Sequence, residues 1–128
     1  MADEIMRLCD TIRETSFALH HFLQSGHLEK VYENGLAHRL RKQSVVFETQ
    51  FAIPVFDEDT TPLGDFYADL FVYGVLLVEL KACKTLTDAH IAQLLGYMRA
   101  SRVEHGLLIN FGAPALQIKK FILTANRK

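Results

Sequence analysis

Val75-Leu76-Leu77-Val78-Glu79-Leu80-Lys81-Ala82 reads as a buried β-strand that carries an acid and a lysine two residues apart. Side chains alternate across a strand, so Glu79 and Lys81 emerge on one face. A carboxylate or ammonium buried without a partner is costly, and the pair needs an explanation: an internal ion pair, an edge-strand charge or a site. Upstream, Asp65-Phe66-Tyr67-Ala68-Asp69-Leu70-Phe71-Val72-Tyr73 is apolar and aromatic with Asp69 at its middle, and Gly74 separates the two runs. That pattern predicts a tight antiparallel hairpin. A turn centred on Gly74 sets residue 69 opposite residue 79, with Cβ atoms roughly 4.5–5.5 Å apart. Two carboxylates at that distance repel unless something positive lies between them. A divalent cation is the economical candidate, with Lys81 beside it. A turn shifted by one residue would turn Asp69 to the wrong face.

Length and composition frame this reading. The 128 residues predict one domain, 1–128, with a first helix over 1–24 and a core over 26–123; 49% hydrophobic and 23% charged residues suit an ordinary globule. No apolar run is long enough to cross a membrane, and Asp3 and Glu4 oppose a secretory leader. The two cysteines, Cys9 and Cys83, give neither a disulfide framework nor finger spacing, so the expected setting is a reducing cytoplasm. A formal net charge of −1 lacks the basic surplus of proteins that grip duplexes through many phosphates. Basic residues gather only locally, in Arg39-Leu40-Arg41-Lys42, Lys119-Lys120 and Arg127-Lys128. Weak intrinsic affinity follows, or a positive surface completed by oligomerisation or a partner.

Ile5, Leu8, Cys9, Ile12, Leu19, Phe22 and Leu23 recur at helical spacing and predict an amphipathic helix from Asp3 to Gln24, ended by Ser25-Gly26. Leu28, Val31, Tyr32, Leu36 and Leu40 predict a second, to Gln43. Val45-Val46-Phe47 and Phe51 to Phe56 read as one long or bent strand, and Asp57 to Pro62 as an exposed turn whose acids lack the pattern of a calcium loop. Thr85 to Asp88 offers caps for a third helix, with Ile91, Leu94, Leu95 and Met98 on its buried stripe and its end near Ser101. Gly106 to Phe111 is a continuous apolar strand, ended by Gly112-Ala113-Pro114, and Gln117 to Thr124 is a last strand or short helix. The order predicts an α/β architecture with a mixed sheet between helices.

Glu29 and Glu33, four apart on the second helix, repeat the puzzle of like charges on one face. Gly26-His27-Leu28-Glu29-Lys30-Val31-Tyr32-Glu33-Asn34 resembles the signature of the GxxExxY proteins, a bacterial family of the PD-(D/E)XK nuclease superfamily. The similarity continues through residues 64–70, Val78-Glu79-Leu80-Lys81-Ala82, His90 to Tyr97 and Leu107 to Gly112, and covers about residues 5 to 123. Several motifs in order are more specific than any one of them.

The resemblance implies a restriction-endonuclease-like αβββαβ core with an extra N-terminal helix. It implies a metal site in which Asp69, Glu79, the main-chain carbonyl of Leu80 and Glu33 hold Mg²⁺ or Mn²⁺, with Glu33, Asp69, Glu79 and Lys81 as the catalytic set. Glu29, Tyr32, His90, Gln93 and Tyr97 would support the site or orient substrate. Ala68 stands where the superfamily motif has proline, a position that supplies no ligand. The implied activity is metal-dependent phosphodiester hydrolysis of nucleic acid, DNA in the first instance, in processing, repair or defence. The alternative is a catalytically silent binding or assembly module on the same fold. A homodimer through the first helix is a further expectation.

Overall fold

A computed structural model describes residues 2–126; the pair Arg127-Lys128 lies outside the described residues. The chain runs α1 (Ala2–Leu23), α2 (Glu29–Lys42), β1 (Phe47–Phe56), β2 (Pro62–Val72), β3 (Leu76–Lys81), α3 (Asp88–Ser101), β4 (His105–Asn110), β5 (Gln117–Ile122) and a 3-10 turn, Thr124–Asn126. The strands form one sheet in sequence order. Neighbours are antiparallel except β3 and β4, which run parallel and therefore need a crossover, supplied by α3. The mixed sheet between helices is the predicted α/β architecture, and the final segment, read as strand or helix, is a strand followed by a single helical turn.

Two cores sandwich the sheet. α1 and α2 cover one face, where Ile12, Leu36 and Leu40 meet Leu70, Val72, Leu76, Val78 and Leu80. α3 covers the other, where Leu94 and Met98 meet Ile53, Ala68, Leu77 and Leu108. Strands β3 and β4 are covered on both sides, which is why they read as near-continuous apolar runs. The N-terminal helix is no appendage: Ile5, Cys9, Ile12 and Leu19 belong to the first core. Phe22, expected on its buried stripe, is instead exposed, because it lies about 80° around the helix from Ile12. Leu28 is exposed for a different reason, being the extended N-cap of α2 rather than a residue within it.

α1 stops at Leu23, one residue short of the expected end, because Gln24 turns left-handed at φ 61°. Tyr32 holds the link that follows. Its hydroxyl donates to the Gln24 carbonyl at 2.6 Å and accepts the His27 N–H at 3.2 Å, while its ring stacks on Phe111 at 4.8 Å. Tyr32, expected among the supporting residues of a site, is wholly buried and anchors this link.

The hairpin turn falls where its spacing predicts. Tyr73 and Gly74 both take positive φ, 50° and 67°, the Val75 N–H closes on the Val72 carbonyl at 3.0 Å, and Val72 pairs with Leu76. Such φ values suit the twist of a tight hairpin. Farther from the turn the regularity fails. The β2–β3 ladder reaches Leu70↔Val78 and stops, and the β1–β2 ladder passes from Thr49↔Leu70 to Phe51↔Ala68 with no pair at 50 and 69. Inward-facing residues change parity there. Phe47, Leu70 and Val72 join the first core, whereas Phe51, Ile53 and Ala68 join the second. Gln50, at φ 48°, is the hinge of this slip. Beyond it the β1–β2 arm extends past β3.

The chain leaving β3 passes tightly against the chain leaving β4. Asn110 binds both: its Oδ1 accepts from the N–H groups of Cys83 and Gly112 at 3.0 Å each, and its Nδ2 donates to the Cys83 carbonyl at 2.9 Å. A Cβ at Gly112 would lie 2.3 Å from the Cys83 nitrogen and 2.5 Å from the Ala82 carbonyl carbon, both backbone atoms that cannot rotate away. Gly112→Ala is therefore expected to destabilise the protein by about 1–3 kcal/mol. A lower urea midpoint at unchanged slope would bear this out; a wild-type midpoint would mean that the two crossings are not in contact.

Candidate active site

The slip opens the sheet at the acids. With the ladder ended at Leu70↔Val78, two carboxylates take over the strand contacts that would follow: the Asp69 N–H donates to Glu79 Oε1 at 2.9 Å, and the Leu80 N–H donates to Asp69 Oδ2 at 2.8 Å. Asp69 and Glu79 are thus neighbours, as the hairpin arithmetic predicts, but they do not form a ladder pair. Each side chain meets the other strand's backbone.

α2 brings its acids to the same place. Gln50 Nε2 donates to Glu33 Oε1 at 2.8 Å and to Asp69 Oδ1 at 3.2 Å, so one amide spans the helix and β2. Lys30 Nζ lies 2.7 Å from Glu33 Oε2. Glu33, Asp69 and Glu79 are exposed by only 4, 7 and 4%. Glu29 stands one turn before Glu33, close enough that the Lys81 charge acts on its carboxyl, which burial raises above the ordinary range. Lys81 leaves β3 on the face of Leu77 and Glu79, and its Nζ donates to Gln93 Oε1 on α3 at 2.7 Å.

Burial makes this cluster electrostatically costly. Desolvation is the largest cause that lifts the Asp69 carboxyl to about 6, with the charges of Glu33 and Glu29 adding to it against the Leu80 N–H. Glu79 is lifted to about 8, first by desolvation and then by Asp69. The Tyr97 hydroxyl on α3 is raised first by burial and then by the charges of Glu79 and Asp69. His90 serves its own helix instead. Its Nδ1 accepts the Thr87 N–H at 3.1 Å, and its backbone N–H donates to Thr87 Oγ1 at 3.3 Å, closing the capping box of α3. The first-turn position of His90, rather than the acids, accounts for its side chain.

Two residues at the acids, Gln50 and Lys30, escape a reading by motif. The polar run Glu48-Thr49-Gln50 between Phe47 and Phe51 breaks the apolar alternation of β1 and is the available signal for Gln50. The signal for Lys30 is its i, i+3 spacing to Glu33.

The donor set suits a hard divalent cation, which takes oxygen ligands and relieves repulsion among packed carboxylates. As folded, the acid oxygens are turned to backbone N–H groups, Gln50 and Lys30, and among the described residues no three His, Cys, Asp or Glu side chains stand together at metal-holding spacing. A cation would compete with Gln50 and Lys30 for these oxygens.

The chain belongs to the PD-(D/E)XK nuclease superfamily, whose model matches residues 6–121. Members generally use divalent metals, and membership suggests metal-dependent nuclease activity. Among solved structures, the crystal structure of SSO0001 is similar in fold, with a TM-score of 0.53 at 13% identity over 73% of this chain. The chain spans about half of that protein, 48% of its length. The search of curated proteins finds no match. No helix among the described residues is long and apolar enough to cross a membrane.

Both acids hold protons more tightly folded than unfolded, so between about pH 4 and pH 8 the native state binds more protons and stability falls as pH rises. In chelator, the urea midpoint is expected to be higher at about pH 5 than at about pH 8.5 as far as this pair contributes. Glu79→Gln, which mimics the protonated acid, should flatten that dependence and be the more stable protein at the alkaline end. A variant with the wild-type profile would show that Glu79 is not the group responsible.

Proposed function

We propose that this chain is a Mg²⁺- or Mn²⁺-dependent nuclease of the GxxExxY kind, hydrolysing phosphodiester bonds of nucleic acid, DNA in the first instance. One observation carries the reading: Glu33, Asp69 and Glu79, all nearly buried, are tied into one network at the point where β2 leaves β3. Three buried acids with a neighbouring lysine are costly for a purely structural core.

In this reading Asp69, Glu79, Glu33 and the Leu80 carbonyl hold the cation, which when bound supplies Lewis acidity to a phosphoryl oxygen and makes water more acidic. Gln93 holds the Lys81 ammonium, which orients the nucleophile and offsets negative charge developing at phosphorus. Gln50 ties Glu33 to Asp69 through one side-chain amide. Glu29 tempers the charge of Lys81, and Tyr97 closes the wall on the α3 side. A homodimer through the outer face of α1, where Met6 and Phe17 are exposed, belongs to the same reading; a monomer mass by light scattering at micromolar concentration removes it.

The test is cleavage of labelled single-stranded, duplex and branched DNA and of RNA, with Mg²⁺ or Mn²⁺ and with chelator. Cleavage is expected to need the cation and to fall about 100-fold or more in Asp69→Ala and Lys81→Ala. Activity that survives both substitutions belongs to a contaminant. Metal binding by calorimetry, lost in Glu79→Ala but unaccompanied by cleavage of any polymer, would favour the binding or assembly module.

A further inference from the structure

Phe66 lies on the arm of the β1–β2 hairpin that extends past β3. It pairs with Ile53 across the hairpin, and alternation sets both on the α3 face. Ile53 is buried there, but Phe66 stays 40% exposed, its ring tilted 38° against Tyr97 at a centroid distance of 4.6 Å. Tyr97, only 8% exposed, lies one turn along α3 from Gln93, whose amide holds Lys81 of the E-x-K strand. An open ring backed by a fixed ring therefore adjoins the acids. Along the strand Phe66 is three residues from Asp69, about 10 Å, within reach of the nucleotides that flank a phosphate held at the acids.

We propose that Phe66, seated on Tyr97, is a base-stacking subsite, and that the substrate is a nucleic acid with unpaired bases, single-stranded or frayed, rather than intact duplex. The inference rests on the nuclease reading above and names its substrate class. Affinity drawn from phosphates alone needs a basic surplus, which a net charge of −1 does not supply. Stacking on an aromatic ring is independent of net charge and tolerant of sequence, because every base has a π-face. Reaching a base inside an intact duplex first costs the unstacking of that step, which an unpaired base avoids. Residues 62–67 make no ladder pairing with β3 and are exposed, which leaves that part of the arm open beside the ring.

The test combines binding and cleavage in the full chain. Fluorescence anisotropy with Ca²⁺ compares a labelled 20-nucleotide thymidine strand, the same strand with an abasic stretch, its duplex and the matching RNA, for wild type, Phe66→Ala, Phe66→Leu, Phe66→Trp and a distant exposed control, Phe22→Ala. Phe66→Leu keeps an apolar group on Tyr97 but no ring, so it separates stacking from packing. Expected are preference for the single strand over the duplex, affinity about tenfold or more weaker in Phe66→Ala and Phe66→Leu, retention in Phe66→Trp and Phe22→Ala, and an abasic strand bound by wild type as weakly as by Phe66→Ala. The RNA arm reports whether the sugar is discriminated, the ring dependence being the same in either case. Wild-type affinity in both Phe66→Ala and Phe66→Leu, or a duplex bound as tightly as the single strand, overturns the subsite. Cation-dependent cleavage that needs Asp69 but ignores Phe66 overturns the subsite and leaves the nuclease reading intact. Ring-dependent strand binding without cleavage of any polymer upholds the subsite and removes the nuclease reading.

Discussion

The crossed carboxylate–backbone contacts between Asp69 and Glu79 are the constraint on which this molecule turns. A β-ladder that ends in the middle of a sheet leaves buried N–H groups unpaired, and an orphaned buried donor costs on the order of 1–3 kcal/mol. Here the Asp69 and Leu80 N–H groups are satisfied by the two acids themselves. The same contacts let β2 diverge from β3 without penalty to the backbone and hold two carboxylates where the sheet opens.

Everything around the acids follows from that opening. Gln50 accepts a left-handed backbone, which for a non-glycine residue costs about 1–2 kcal/mol, and in return its amide joins Glu33 to Asp69. Strain of that kind persists where surrounding contacts over-determine it, and sites are where it gathers. α2 can bring Glu33 to the opening because Tyr32, one residue earlier, locks the helix start against Phe111 and Gln24. On the other face, Gln93 holds Lys81. A cluster assembled in this way is short of positive charge, which explains why burial lifts Asp69 and Glu79 so far and why a divalent cation suits the set.

Much of the fold is legible in the chain alone. Apolar periodicity places the helices to within a residue or so at their ends, and the position of Gly74 between two apolar runs places the hairpin and its turn. The charged residues of β3 stand out because a strand covered on both faces has no ordinary place for them. Phe22 and Leu28 depart from their expected burial because an apolar residue at nearly the right spacing says nothing about a boundary one position away. Gln50 is hidden because amides are ordinary in strands, and its importance lies in a backbone angle and two contacts from elements distant in sequence.

The order of elements, the turn at Gly74 and the inventory of acids are local properties of the chain, set by periodicity and turn chemistry. Which of those acids meet is settled only by packing in three dimensions. Helix α2 and strands β1, β2 and β3 must come together, and the alternation must slip at Gln50 and Asp69, before Glu33, Asp69 and Glu79 share one network. Packing also decides that the Tyr32 hydroxyl bonds the Gln24 carbonyl, that the His90 ring bonds the Thr87 N–H, and that Gln93 reaches Lys81. Hydrogen-bond competition is settled by which donors arrive within about 3 Å, and no spacing along the chain encodes that.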